Sequence, residues 1–225
     1  MITLYHCVSA RSFRPLWTLE ELEIPYELKM LPFPPRFLAR GYLEVNPLGT
    51  VPALIDGPTF MTESAAMCQY LAERDPAKRL VVKGDGSRYG DYLNWLHFGE
   101  ATLTFPQTLV LRYGFFEQSQ RRLPQVENDY RRWFLARLRA LDAVLTESDY
   151  LCGDQFTSAD ISVGYAVMLA DYLDMSSQFS ERVGGYWKRL QAREGYQRAI
   201  TAQYKAATSQ GVSPIAAPLT GREQA

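Results

Sequence analysis

Histidine and cysteine are scarce in this 225-residue chain: His6 and His97 are the two histidines, and Cys7, Cys68 and Cys152 the three cysteines. Two imidazoles make a histidine-built catalytic metal centre implausible, so no metal is expected. Three widely spaced cysteines form neither a disulfide framework nor a zinc site. The G-x-S-x-G elbow of a serine hydrolase is missing as well. Charge of one sign is not in excess: 24 Lys and Arg stand against 25 Asp and Glu, a formal net charge of −1. A nucleic-acid binder would show a basic balance or stripe, and Arg121-Arg122 and Arg131-Arg132 read instead as solvated helix faces. No apolar run approaches the ~18 residues needed to span a membrane. The start Met-Ile-Thr-Leu-Tyr-His-Cys-Val has neither the charged stretch nor the long apolar core of a signal peptide. The expectation is a soluble cytoplasmic protein with no nucleic-acid or membrane partner.

What is present divides unevenly along the chain. Ile2–Cys7 reads as a strand. Ser12–Glu23 reads as a helix in which Leu16, Leu19, Glu20 and Leu22 set an amphipathic face, ended by Ile24-Pro25. Tyr26–Met30 reads as a second strand, and the proline-rich stretch Leu31–Pro35 as an irregular connection. A short helix fits Arg36–Glu44, and Asn46-Pro47-Leu48-Gly49 is a turn signal. Val51–Ile55 and Thr59–Met61 flank Asp56-Gly57-Pro58 as a hairpin, and Ser64–Glu73 is a helix stopping before Asp75-Pro76. Beyond a polar link the pattern is helical over Tyr89–Thr104, Leu123–Thr146, Ser158–Asp174 and Arg182–Ala192. Thr157-Ser158-Ala159-Asp160 fits a capping box, and the run Ile161–Ala170 behind it is apolar on most faces, as in the central helix of a bundle. Residues 206–225, rich in Ser, Pro, Ala and Gly, read as a loose tail.

Three ordered motifs in the first 80 residues then converge: Ser9-Ala10-Arg11-Ser12-Phe13-Arg14-Pro15-Leu16-Trp17-Thr18-Leu19-Glu20-Glu21-Leu22, Asn46-Pro47-Leu48-Gly49-Thr50-Val51-Pro52-Ala53-Leu54, and Thr62-Glu63-Ser64-Ala65-Ala66. Together they resemble the cytosolic glutathione transferase superfamily, and the first helix is most similar to a microbial and fungal group with a serine or cysteine at the helix entrance. The resemblance implies an α/β thioredoxin-like domain over residues 1–78 and an all-helical bundle domain over residues 88–205. It also implies a homodimer, glutathione as co-substrate, and small hydrophobic electrophiles as second substrates, with detoxification as the setting. Glutathione-dependent reduction of peroxides is a possible side activity. A non-catalytic interaction module built on the same fold is the alternative.

The resemblance also implies roles for residues. A cis Val51-Pro52 bond would offer the Val51 backbone to the cysteinyl unit of glutathione as an added strand. Ser64, at a helix start, and Glu63 would meet the γ-glutamyl carboxylate and ammonium. Arg40 or Arg36 would meet the glycine carboxylate. At the first helix entrance Cys7-Val8-Ser9-Ala10 lacks the second thiol of a C-x-x-C pair, so two-thiol redox chemistry is not expected. Ser9 is the leading candidate to donate to the glutathione thiolate. Ser12 stands second, although its position suits a helix cap, and Cys7 or the backbone near Ala10 and Arg11 remain open. Phe98, Phe105, Tyr113 and Tyr165, together with Trp95, offer aromatic surface for the electrophile.

Overall fold

The computed structural model of the chain describes residues 1–220. They divide into two compact units, Met1–Arg79 together with Ala192–Thr220, and Leu80–Gln191.

In the first unit β1 (Ile2–His6) buries every second residue, the pattern of a strand with one face on the core. The helix α1 (Phe13–Leu22) follows and buries Phe13, Leu16, Trp17 and Leu19. Glu23 ends it in a left-handed conformation, φ 54°, with its N–H returned to the last turn. Next come β2 (Tyr26–Met30), a single turn α2 (Pro35–Leu38) and a 3-10 turn over Arg40–Glu44. The hairpin β3 (Ala53–Asp56) and β4 (Thr59–Met61) leads into α3 (Ser64–Arg74). The sheet order is β2-β1-β3-β4. β1 and β2 are parallel with Ile2 opposite Tyr26, which requires the crossover through α1. β3 pairs antiparallel with β1 and with β4, placing Leu4 opposite Leu54 and Ile55 opposite Phe60. This mixed sheet with its helices is the expected thioredoxin-like arrangement.

The second unit is helical: α4 (Tyr89–His97), α5 (Phe105–Leu111), α6 (Pro124–Val144), α7 (Ser158–Tyr172) and α8 (Glu181–Gln191). The capping box at α7 forms as read, with Thr157 Oγ1 accepting from Ala159 N–H and Asp160 Oδ2 accepting from Thr157 N–H at 2.9 Å. Ser158 through Ala170 are all buried, which makes α7 the axis of this unit. The sequence suggests one helix across Tyr89–Thr104, but the backbone widens to π geometry over Phe98–Thr104. There Gly99 lies so close to α7 that a Cβ would sit 2.5 Å from the Ser162 carbonyl carbon, and Ser162 Oγ donates to Leu96 C=O at 2.6 Å.

The chain then returns to the first unit as α9 (Glu194–Ser209). This corrects the expected boundary, which placed residues up to 205 in the helical domain. The physical reason is an apolar stripe, Tyr196, Ala199 and Ala207, turned onto α1. Tyr196 meets Phe13 and Trp17 edge-on at 5.6 and 5.1 Å. Arg193 forks onto both oxygens of Glu21 at 2.8 Å. The expected loose tail is corrected too. Residues 206–209 are helical, Ala216 and Ala217 are buried, and Ala217 N–H donates to Val8 C=O at 2.7 Å. The last part of that reading, residues 221–225, lies outside the described residues.

Candidate functional site

The loop from β1 into α1 is built by polar side chains turned inward. Ser12 precedes α1 but does not cap it. Its Oγ accepts from Cys7 N–H at 3.3 Å and donates to Cys7 C=O at 3.4 Å, closing the loop on itself. Ser9 stands in the left-handed region, φ 54°, and its N–H donates to Gln203 Oε1 at 2.9 Å. Gln203 Nε2 in turn donates to Ser9 Oγ at 3.2 Å. His6 Nε2 lies 3.0 Å from the same Gln203 Oε1. An oxygen that already takes the Ser9 N–H can only accept, so the His6 proton sits on Nε2. Burial pushes the His6 pKa from 6.5 to about 4, opposed by its Gln203 and Ser12 contacts.

The two leading sequence candidates, Ser9 and Ser12, are therefore fully buried, with their hydroxyls engaged inside the protein. A hydroxyl closed off in this way is not presented to a ligand sulfur. Cys7 is equally enclosed. Its Sγ lies 3.8 Å from Pro32 C=O, and burial pushes its thiol far above the ordinary range. A thiol held protonated is a poor nucleophile. What remains at the entrance is main chain, with the Ala10 methyl nearly closed against Cys7 and Ala217 and the half-buried Leu31, Phe33 and Val51 around them.

The turn before β3 is rigid for reasons visible in its residues. Asn46 Nδ2 and Tyr42 OH both donate to Thr50 C=O, at 2.8 and 2.7 Å, and Asn46 Oδ1 accepts Leu48 N–H at 3.1 Å. Gly49 has φ +59°, and a Cβ there would fall 2.5 Å from Arg36 Cβ. Only glycine fits such a left-handed, crowded position. The Val51–Pro52 bond that follows is cis, as the family resemblance implies. β3 begins at Ala53, two residues after the expected start.

At the start of α3, Glu63 is exposed and Ser64 is buried in the first helical turn. Behind them lies Arg14, a fully buried guanidinium whose Nη1 donates to Ser64 Oγ at 3.2 Å. A helix N-terminus already carries partial positive charge, and the buried arginine adds a whole one. Arg36 and Arg40 are exposed, Arg36 lying over the Phe37 ring at 5.0 Å.

In the second unit the aromatic candidates part ways. Phe98 is half-buried with its ring edge-on to Trp95 at 5.0 Å. Phe105 is 56% exposed, and Tyr113 is half-buried beneath Arg112. Tyr165 and Trp95 are buried within the packing, which corrects the expectation that Tyr165 offers open aromatic surface. Among the described residues no group of His, Cys, Asp and Glu is arranged to hold a metal ion.

The family model described as glutathione S-transferase, N-terminal domain, matches residues 8–74. Probable glutathione S-transferase GSTF2 of Oryza sativa subsp. japonica is 30% identical over 193 residues, covering 81% of this chain and 87% of that protein. The chain belongs to the glutathione transferase superfamily. Glutathione S-transferase 3 of Schizosaccharomyces pombe is 29% identical over 188 residues, 77% of this chain and 76% of that protein. Among solved structures, the glutathione transferase URE2P6 of Phanerochaete chrysosporium, in complex with oxidised glutathione, has a TM-score of 0.79. It is 27% identical, with 91% of this chain and 96% of that one covered.

For this glutathione transferase superfamily member the sequence reading missed two parts of the site region. One is Gln203, whose signal was a polar residue interrupting the apolar stripe Tyr196, Ala199 and Ala207. The other is the inward turn of Arg14, which sequence alone cannot separate from a solvated arginine.

Proposed function

We propose that the chain is an enzyme that binds glutathione along its first unit and delivers the thiolate sulfur to a small hydrophobic electrophile. The observation that carries this reading is the buried Arg14 guanidinium set against Ser64 at the α3 N-terminus. A carboxylate at that spot gains the free N–H groups of the first turn and a nearby full positive charge. The γ-glutamyl end supplies that carboxylate, and exposed Glu63 suits its ammonium. The Val51 main chain serves the cysteinyl unit as an added strand, which leaves Arg40 or Arg36 for the glycine carboxylate.

This direction brings the thiol to the β1–α1 loop. A thiol of pKa about 8.5 needs about 2.7 kcal/mol of thiolate stabilisation to ionise near neutral pH. With the Ser9 and Ser12 hydroxyls enclosed, we assign that work to the main chain opening α1, at Arg11 and Ser12. One N–H donating to an anion contributes about 1.5–3 kcal/mol, and the helix end a further ~0.3–1. Phe98, Phe105 and Tyr113 supply apolar surface for the electrophile. The working form is taken as a homodimer, to be checked by light scattering against twice the 25.7 kDa chain mass.

Calorimetric titration with glutathione tests the reading. Binding should be detectable at millimolar ligand, and Ser64→Ala should weaken it roughly ten- to a hundredfold, the loss of a hydrogen bond to a charged group. No binding by the unmodified protein would sink the enzyme and leave the interaction-module alternative.

A further inference from the structure

We propose that Gln203, on the last helix, is a positioning residue of the glutathione site, holding the β1–α1 loop in the one shape that presents its main chain to the thiol. The proposal rests on the reading that this loop receives the thiol. Its own support is geometric. Ser9 is a non-glycine residue in the left-handed region, a conformation that persists only where surroundings enforce it. The enforcing group is the Gln203 carboxamide, which takes the Ser9 N–H at 2.9 Å and donates to Ser9 Oγ at 3.2 Å. Its oxygen also takes the His6 Nε2–H at 3.0 Å, so the end of β1 and the loop that leaves it are gripped by one side chain.

That side chain is fully buried and stands on a helix that is itself pinned to α1. Arg193 forks onto Glu21, Arg198 Nη2 donates to Glu20 C=O at 2.6 Å, and Tyr196 wedges against Phe13 and Trp17. α1 and the loop therefore have a common reference in α9. A buried amide whose polar atoms converge on one left-handed residue costs desolvation that an apolar side chain would avoid. Packing alone gives no reason for glutamine there.

The test uses the full chain, glutathione, and chlorodinitrobenzene as the electrophile. Gln203→Met keeps length and loses all three hydrogen bonds. Gln203→Glu, in either protonation state, still accepts the Ser9 N–H. With Met, kcat should fall roughly ten- to a hundredfold, the scale of a misaligned reacting group. The ionisation midpoint of the bound glutathione thiol, followed by thiolate absorbance, should rise by about one pH decade. The Kd for glutathione should change less than about threefold, because Ser64 and Glu63 are untouched, and Glu should restore most of kcat. Unchanged kcat and midpoint in a folded Gln203→Met protein, whatever its Tm, would overturn the proposal, as would failure of Gln203→Glu to differ from it. If Gln203→Met does not fold, Gln203→Asn, too short to reach Ser9, replaces it with the same expectations. If the unmodified protein binds no glutathione, the underlying reading fails, and the clamp is judged by exchange of the Ser9 amide hydrogen. Exchange that is slow in wild type and fast in the Met variant supports it, and equal exchange overturns it.

Discussion

His6 makes the first unit sensitive to acid, and the size of the effect follows from its surroundings. The ring is fully buried, its Nε2–H is taken by Gln203, and Nδ1 has no hydrogen-bond partner among the described residues. A proton added at Nδ1 would put a charge in a low dielectric, a cost that the Gln203 and Ser12 contacts offset only in part. The unfolded chain binds this proton near 6.5 and the folded chain only near 4. Between those values the unfolded state holds more protons, so stability falls as pH falls. The contribution is complete above about 6.5 and lost at about 4, which at ~1.4 kcal/mol per decade is about 3 kcal/mol. His6→Gln keeps a donor toward Gln203 and cannot titrate. Urea unfolding of both proteins across this window should show the wild type losing about 3 kcal/mol relative to the variant, and parallel stability curves would refute the reasoning.

The remaining predictions concern other parts of the fold. Burial raises Asp160 from 3.8 to about 6, against hydrogen bonds from Leu151, Thr157 and Tyr186 that lower it. The folded state there binds more protons between those values, so the wild type should gain stability relative to Asp160→Asn as pH falls through about 6, and the same urea series checks it. Gly49→Ala meets both a left-handed φ and a 2.5 Å contact with Arg36 Cβ, and should cost about 2–4 kcal/mol; a loss under about 1 kcal/mol in urea unfolding would contradict that account. A chain ended at Gly211 loses the Ala217 methyl packed on Cys7 and Ala10. Cys7 should then react faster with a maleimide, measured by mass spectrometry, and an unchanged rate would show that the tail does not shield it.

Much of the first unit was legible because its punctuation is strong. Pro25, Asp56-Gly57-Pro58 and Asp75-Pro76 stop elements wherever they occur, and the observed boundaries fall within a residue or two of the expected ones. Asn46 through Pro52 and the Thr157–Asp160 box were legible for the same reason, since their bonds run within a few residues. The burial of Ser9 was not legible, because its partner Gln203 is 194 positions away. Ser12 suited a helix cap by position, yet its hydroxyl found both polar groups of Cys7 in reach and bonded there. α9 was not among the helices read from the sequence, and even an apolar stripe at helical spacing there does not name the surface it meets.

The distribution of expensive polar groups in the first unit supports the placing of the site. Much of the sheet and of the inner helix faces is apolar: Leu4, Leu54, Met67 and Leu71 are fully buried without a polar atom among their side chains other than sulfur, and the buried Thr18 of α1 is satisfied within its own helix by the Arg14 carbonyl. His6, Ser9, Ser12, Arg14 and Gln203 are equally buried, yet their hydrogen bonds gather at the end of β1, the entrance to α1 and the first turn of α3. Taking a guanidinium out of water costs several kcal/mol even after the protein relaxes. A methionine in place of Arg14 would fill similar space without that cost, so stability alone does not explain the arginine. The same holds for glutamine at position 203. Polar groups that cost stability and sit where the backbone turns toward ligand are expected at a functional site. Their convergence on these adjoining turns supports assigning anion binding to Ser64 and thiol binding to the loop that Gln203 holds.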